Sequence, residues 1–195
     1  MQPAQLGPVH VLGPGALGLI FAHQFSAHRA VTVLTKPNHP ARYFYNRNNH
    51  TQPISARFES NLPEQIEELW LFTKAHHCKA ALAALHPYLH PNANIILSHN
   101  GMTDVTELNA LLSNNQALFF MLTQQAAFKQ APDTVVHVST GPSALGAINC
   151  IAQQRLDACH ALWQQQIPQL EKSTDIHSAR WHKLLINIAI NPVAA

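Results

Sequence analysis

A short apolar run, Val9–Leu12, stops at the glycine-rich segment GPGALG (residues 13–18), and this junction constrains the fold more than any other feature of the chain. The run is typical of a buried parallel strand, and residues 16–25 behind it have helical spacing. A GxGxxG pattern that follows a strand and opens a helix is the arrangement that binds the pyrophosphate of a dinucleotide. The junction therefore predicts a dinucleotide-binding βαβ unit.

Each glycine of the segment has a separate expected task. Gly13 permits the tight turn, Gly15 lets the backbone approach a pyrophosphate, and Gly18 lets the helix pack close to the sheet. Ala16 and Leu17 lie between them, where the helix N-terminus faces the phosphates. We expect these five residues to bind the cofactor, and a purely structural glycine turn is the alternative.

Strands and helices alternate through the first part of the chain. Further apolar strands are predicted at residues 31–34, 69–73 and 95–98, and helices at 63–68, 75–85 and 105–112, with a loop over 37–53. Such alternation is typical of a parallel sheet with helices on both faces. The predicted fold class is therefore α/β, a Rossmann-type doubly wound parallel sheet.

The pattern changes after Ala117. Residues 118–123 and 134–139 have the composition of strands, and 143–148 is predicted to return as a hairpin partner of the second one across Gly141 and Pro142. An amphipathic helix is predicted over residues 153–166. We therefore expect antiparallel strands added to the parallel sheet.

Composition excludes several classes of function. Of 195 residues, 47% are apolar and 11% charged, and the net charge is +2 with no basic run, so nucleic acid is not an expected partner. No apolar run reaches membrane-spanning length, and the N-terminal residues lack the basic-then-apolar pattern of a secretory signal. Cys78, Cys150 and Cys159 lack disulfide or zinc spacing and indicate free thiols in a reducing compartment. We expect a cytoplasmic protein without a membrane partner.

The segment His76, His77 and Cys78 comes nearest to a metal-ligand cluster. Successive residues on a helix point about 100° apart, so the three side chains cannot easily converge on one ion. We expect no metal site.

The segment WHKLLINIAINP, residues 181–192, predicts a helix that is apolar nearly all round and hence buried. Lys183, Asn187 and Asn191 fall at i, i+4 and i+8 and form one narrow polar stripe. Buried polar groups need partners. The stripe is therefore either a structural polar seam or the wall of a cleft that receives a polar ligand.

The residues after the second strand select between the two nicotinamide dinucleotides. An acidic residue at this position would hold the ribose 2′-hydroxyl of NAD. Thr35 and Lys36 follow the strand instead, with His39 and Arg42 just beyond. The cation at Lys36 favours the 2′-phosphate, and hence NADP(H), although an ordinary exposed lysine is the alternative.

Four segments, in order, resemble the ketopantoate reductase (2-dehydropantoate 2-reductase) family. They are GPGALG at 13–18, FTK at 72–74, HNGM at 99–102 and the helix at 181–192, and the resemblance extends from Val9 to Ala195. It implies NADPH-dependent reduction of ketopantoate, or a related 2-oxo acid, on the pathway to pantothenate. It also implies that the partner is a small-molecule substrate.

The family resemblance also assigns roles to individual residues. By position, it implies cofactor contacts at Lys36 (the 2′-phosphate), Lys74 and Asn100, catalysis by Lys183 beside Asn100, and substrate binding by Asn187 and Asn191. Hydride attack on a ketone develops negative charge on oxygen, which needs a proton or positive donor nearby. Desolvation in an apolar cleft lowers the pKa of a lysine toward a useful value.

Family members continue into a helical domain that closes the cleft. We therefore expect residues 1–177 to form the NADP-binding domain and residues 178–195 to begin a truncated all-α domain. A non-catalytic NADP-binding module is the alternative function, and a homodimer partner could cover the cleft. A methyltransferase with a glycine loop is disfavoured by Lys36. Thr103 departs from the family, which commonly has glycine there.

Overall fold

The computed structural model describes residues 7–190, in which strands and helices alternate along the chain. The strands are β1 Val9–Leu12, β2 Val31–Leu34, β3 Phe44–Arg47, β4 His50–Pro53, β5 Arg57–Glu59, β6 Ile66–Leu71, β7 Leu89–Leu97, β8 Ala117–Thr123, β9 Ala126–Ala131, β10 Thr134–Ser139, β11 Ser143–Ala147 and β12 Leu170–Lys172. The helices are α1 Ala16–Ser26, α2 Ala75–Leu85, α3 Val105–Asn109, α4 Cys150–Trp163 and α5 Ile176–Ile190, with a 3-10 turn at His86–Tyr88.

Eight strands form the main sheet in the order β12-β11-β8-β7-β6-β1-β2-β5. The six strands from β8 to β5 are parallel, whereas β11 runs antiparallel to β8. The chain leaves β1 toward β2 on one side and continues from β6 on the other. The sheet therefore has a switch point between β1 and β6, and the predicted doubly wound α/β fold with an added antiparallel strand is confirmed.

Helices cover both faces of this sheet. One core lies beneath α1 and α4 and contains Val11, Phe21 and Trp163. The other lies on the opposite face beneath α2 and contains Leu71 and Leu82. Because both faces are buried, the central strands are apolar along most of their length rather than alternating, as the sequence pattern required.

A second, four-stranded sheet in the order β4-β3-β10-β9 packs on α1. The predicted loop over 37–53 was therefore wrong, because β3 and β4 form a hairpin there. Its turn residues Asn48 and Asn49 have φ of 50° and 64°, the conformation of a type I′ turn. The polar strands carry no apolar alternation, which is why the pattern resembled a loop.

Other strand predictions also need correction. The expected hairpin of 134–139 with 143–148 does not form, because β10 pairs with β9 and β3, while β11 pairs with β8. Residues 63–68 were predicted as a helix, but Ile66 already begins β6. There Glu68 is buried and pairs with Arg29, so a polar residue in a strand masked the strand pattern. Strands β9 and β12 were not predicted.

Helix α5 confirms the helix predicted at the end of the chain but corrects its burial. Ile176 and Arg180 are buried, whereas Trp181, Leu185 and Ile186 are 54%, 58% and 56% exposed. One face of α5 contacts β8 and β11. Within residues 7–190, no helix has the length and apolar character needed to cross a membrane.

Candidate functional site

A cleft of about 410 Å³ opens at the switch point, where β1, β6 and β7 end side by side. Its lining comes from the turns that follow these strands: Leu17, Phe72, Thr73, Lys74, Ala75, His76, Ser98, His99 and Asn100. In open α/β sheets, ligands bind at this crevice. The fold thus brings three separately predicted segments, the glycine turn, Lys74 and Asn100, to one place.

The shape of the turn requires glycine at positions 13 and 18, and at position 15 the absence of a side chain leaves the backbone uncovered. Gly13 has φ of 106°, and a Cβ on it would lie 2.8 Å from the carbonyl oxygen of Phe72. A Cβ on Gly18 would lie 1.9 Å from the carbonyl oxygen of Gly13, so its nearest neighbour is the turn itself rather than the sheet. A Cβ on Gly15 would meet no atom within 4 Å. The backbone at Gly15 is therefore open to a ligand.

The N-terminus of α1 has free hydrogen-bond donors. Gly15 is its N-cap, no side chain caps the helix, and the first turn carries no acidic residue. The first intrahelical bond runs from the N–H of Leu19 to the carbonyl of Gly15, so the N–H groups of Ala16, Leu17 and Gly18 have no helical acceptor. These donors, at the positive end of the helix dipole, favour an anion such as a pyrophosphate.

The N-terminus of α2 faces the same cleft. Lys74 is its N-cap, with extended backbone, and no side chain caps this helix either. The Lys74 side chain is exposed and lies at the edge of the cleft. The cleft therefore combines two uncapped helix N-termini with a lysine that can reach an anionic ligand.

The end of β2 lies next to β1, on the side away from β6. Lys36 is exposed there. The neighbouring strand β5 pairs Glu59 with Leu34, and the N–H of Thr35 donates to the carbonyl of Glu59 at 2.8 Å. The sequence argument considered only the residues following β2, and it missed Glu59 because a three-residue strand is recognisable only through its pairing.

Lys183 and Asn100 line a second, smaller cavity next to the cleft. It has about 10 Å³ of space, room for one water-sized group, and is completed by His99, Gly101, Leu122, Arg180 and Leu184. The Nζ of Lys183 donates to the carbonyl oxygen of Thr123 at 2.6 Å. Burial lowers the pKa of Lys183. The predicted catalytic lysine and Asn100 therefore come together, although α5 and the loop after β7 are far apart in sequence.

A larger cleft of about 560 Å³ lies on another side of Lys183, between α5 and the ends of β8 and β11. Thr123, Ser143, His182 and Ile186 contribute to its walls. Lys183 thus lines both a water-sized cavity and a space large enough for a small organic molecule.

A buried hydrogen-bonded group supports the Asn100 loop. Arg180 donates from Nη2 to both the carbonyl and the hydroxyl oxygen of Thr103, each at 3.2 Å. The Thr103 hydroxyl also lies 3.3 Å from Nε2 of His99. Burial lowers the pKa of His99 to about 4, so its ring is neutral at pH 7. Sequence analysis missed Arg180, although its position three residues before Lys183 on a helix was a usable signal.

Two predicted substrate residues cannot be compared with this geometry. Asn191 lies outside the described residues. Asn187 belongs to α5, but its side chain is outside the described part. Within residues 7–190, no three His, Cys, Asp or Glu side chains form a group that could hold a metal ion. Cys78, Cys150 and Cys159 are all free thiols.

Residues 9–149 match the family described as ketopantoate reductase PanE/ApbA. The 2-dehydropantoate 2-reductase of Vibrio cholerae is 32% identical over 188 residues, which cover 95% of this chain and 62% of the relative. The enzyme of the same name from Yersinia pestis is 31% identical over 132 residues, covering 66% of this chain and 41% of that protein. The chain therefore spans less than two thirds of the length of these curated relatives.

Solved structures share the fold. The probable 2-dehydropantoate 2-reductase of Bacillus subtilis superposes with a TM-score of 0.82 at 20% identity, over 97% of this chain and 66% of that one. D-mandelate dehydrogenase, in a ternary structure with NADH and anilino(oxo)acetate, superposes with a TM-score of 0.81 at 16% identity, over 93% and 61% of the two chains. Both similarities cover more of the chain than residues 9–149.

Proposed function

Because the chain belongs to the ketopantoate reductase PanE/ApbA family, we propose that it acts in the NADPH-dependent reduction of 2-dehydropantoate, or a related 2-oxo acid, to the 2-hydroxy acid. The observation that carries this proposal is the convergence of the glycine turn, Lys74 and Asn100 on the switch-point cleft, with Lys183 beside Asn100. Pantothenate synthesis is the proposed context, from the names of the curated relatives.

The cleft fits a dinucleotide. Open space at Gly15 and the unpaired N–H groups of Ala16, Leu17 and Gly18 suit a pyrophosphate. Lys74 lies beside them and supplies a cation. NADPH, when bound, supplies the hydride. Residues 1–177 form the cofactor-binding domain in this proposal, and residues 178–195 begin the substrate domain.

Lys36 is the proposed selector for NADP(H). It is exposed after β2, the strand next to β1, where its ammonium can pair with a 2′-phosphate. Glu59 on the next strand acts in the opposite direction, because its carboxylate repels a phosphate and accepts from a ribose hydroxyl. The preference for NADPH over NADH is therefore a balance between these two side chains.

Lys183 is the proposed proton donor. Its ammonium is held by the carbonyl of Thr123, which accepts a hydrogen bond but cannot take the proton at neutral pH. Burial lowers its pKa, which makes proton transfer to the developing alkoxide easier. Asn100 lines the same cavity and offers an amide donor to the ketone oxygen. Asn187 and Asn191 are the proposed substrate-binding residues.

The test is a fluorescence titration of the 195-residue chain with NADPH and NADH, followed by NADPH oxidation in the presence of 2-dehydropantoate. We expect saturable binding that favours NADPH and oxidation that depends on the 2-oxo acid. Binding without turnover would instead support a non-catalytic NADP-binding module. Absence of binding by either nucleotide would overturn the cofactor assignment.

A further inference from the structure

Arg29 and Arg180 both have buried side chains, but their electrostatic environments differ. Arg29 forms a salt bridge with Glu68, including a bond from Nη1 to Oε2 at 2.9 Å. Arg180 is 3% exposed and has no carboxylate within salt-bridge distance among residues 7–190 whose side chains are described. Arg180 is therefore a buried cation without a counter-ion in this part of the chain.

The neighbours of Arg180 offset only part of the cost of burying its charge. Its guanidinium carbon lies 4.3 Å from the ring centre of Phe120, and Nη2 donates to the two oxygens of Thr103. Its buried Nε has no partner among the described residues. The nearby thiol of Cys78, whose pKa burial raises to about 11, is neutral at pH 7. A buried charge is costly unless it is paired with an opposite charge. The surroundings of Arg180 therefore favour the binding of an anion beside its guanidinium.

The small cavity beside Asn100 holds one small group only, so the rest of a ligand would lie in the larger cleft between α5 and the ends of β8 and β11. Arg180 and Lys183 both line the small cavity, and Lys183 also borders the larger cleft. They are three residues apart on α5, so their Cβ atoms are neighbours on one helix face, about 5–6 Å apart. A 2-oxo acid carries its ketone and carboxylate on adjacent carbons. Its ketone oxygen and its carboxylate are therefore close enough for Lys183 to contact one while Arg180 contacts the other.

We propose that Arg180 binds the carboxylate of the 2-oxo acid whose ketone oxygen lies at Lys183. The assignment rests on the proposed function for the identity of the ligand, and it adds a substrate-binding residue that the sequence motifs did not include. The planar guanidinium can donate two parallel hydrogen bonds to the two oxygens of a carboxylate, which a lysine ammonium cannot do. The stacking on Phe120 and the bonds to Thr103 hold it in a fixed orientation for this contact.

Calorimetric titration of the 195-residue chain, with and without NADP⁺, tests the inference. The probes are 3-methyl-2-oxobutanoate and its uncharged methyl ester. We expect the wild-type chain to prefer the acid, and Arg180→Met to weaken acid binding by about 10- to 100-fold while changing ester binding little. Arg155→Met is the matched control, since Arg155 donates to the backbone carbonyls of Asn92 and Asn115 instead.

Several outcomes decide the inference. Equal weakening of acid and ester, or no preference for the acid in the wild-type chain, would overturn it. If Arg180→Met does not fold, Arg180→Lys replaces it: loss of bidentate binding predicts about tenfold weaker acid binding with the ester unaffected, and unchanged acid binding would refute the role. Acid binding that depends on Arg180, without NADPH oxidation, would contradict the proposed reaction but support the carboxylate site.

Discussion

The Nζ of Lys183 lies 2.6 Å from the carbonyl oxygen of Thr123, so α5 is tied to the end of β8 by the side chain proposed to carry the chemistry. The acceptor belongs to the backbone, and no substitution of Thr123 removes it. This bond stabilises the ammonium, while burial disfavours it and lowers the pKa. The hydrogen bond to Thr123 therefore positions Lys183, and the burial of its side chain lowers its pKa.

Replacing Lys183 by methionine separates catalysis from cofactor binding. We expect turnover of the 2-oxo acid to fall by about 100-fold or more, because the proton donor is lost. The affinity for NADPH, measured by fluorescence titration, is expected to change little. Lys172→Met is the control, since Lys172 is exposed and paired with Asp157 on the surface. Equal losses in turnover and NADPH affinity would contradict the assigned role.

Charge at the end of β2 is expected to set the choice of dinucleotide. Lys36→Glu is predicted to lower the affinity for NADPH relative to NADH by roughly tenfold, because an attraction to the 2′-phosphate becomes a repulsion. Glu59→Gln is predicted to shift the ratio the other way. Arg57→Gln, at the far end of the same strand, is the control for a general change in charge. An unchanged ratio of affinities in the first two variants would exclude both residues as selectors.

The glycines of the turn are expected to respond differently to an added methyl group. Gly18→Ala places a Cβ 1.9 Å from the carbonyl oxygen of Gly13. We expect this clash to lower the free energy of unfolding by about 1–3 kcal/mol. Gly15→Ala meets open space, so its melting temperature should match that of the wild type while NADPH binding weakens by about tenfold. Normal NADPH affinity in Gly15→Ala would show that the pyrophosphate does not approach this residue.

Stability is expected to fall on acidification through His99. Burial lowers its folded-state pKa to about 4, below the unfolded value near 6.5, so the unfolded state binds more protons between these two values. The neutral ring of His99 therefore contributes to the free energy of unfolding in full above about pH 6.5, and this contribution is lost as the pH falls toward 4. It amounts to about 3 kcal/mol at most. Urea denaturation at several pH values measures this dependence.

His99→Gln is expected to flatten the acid side of that stability profile. His28→Gln, an exposed histidine beyond the end of α1, serves as the control and should leave the profile as it is. Burial also lowers the pKa of His10, His23 and His137, so part of the acid dependence will persist in the His99 variant. An unaltered profile in His99→Gln would contradict the proposed cause.

The turn at the switch-point cleft could be predicted well, because its requirements lie within one short segment of sequence. The strand Val9–Leu12, the turn at Gly13 and the start of α1 are contiguous, and Gly13 and Gly18 meet steric constraints from Phe72 and from the turn itself. Glu59 and Arg180 were missed for the opposite reason. Glu59 acquires its position from pairing with β2, and Arg180 from packing against Phe120 and Thr103, so the only sign of either in the sequence was the helical spacing of Arg180 and Lys183.

The predicted burial of α5 failed because hydropathy cannot identify what covers a helix. Its apolar composition was correctly recognised, but Trp181, Leu185 and Ile186 are each more than half exposed. The hairpin at Asn48 and Asn49 was missed for a different reason. Polar strands in a small sheet bury no core face, so their sequence shows no alternation of apolar and polar residues.

Helix α1 lies between two sheets, with the main sheet on one side and β3, β9 and β10 on the other. His23 stacks on Tyr45 with ring centres 4.0 Å apart, and Gln24 donates to Gln125 at 2.9 Å. A helix fixed from both sides presents its N-terminal donors in one orientation before any ligand arrives. Little conformational freedom is left to lose if a pyrophosphate binds as proposed, so the start of α1 is expected to keep the same conformation with and without the ligand.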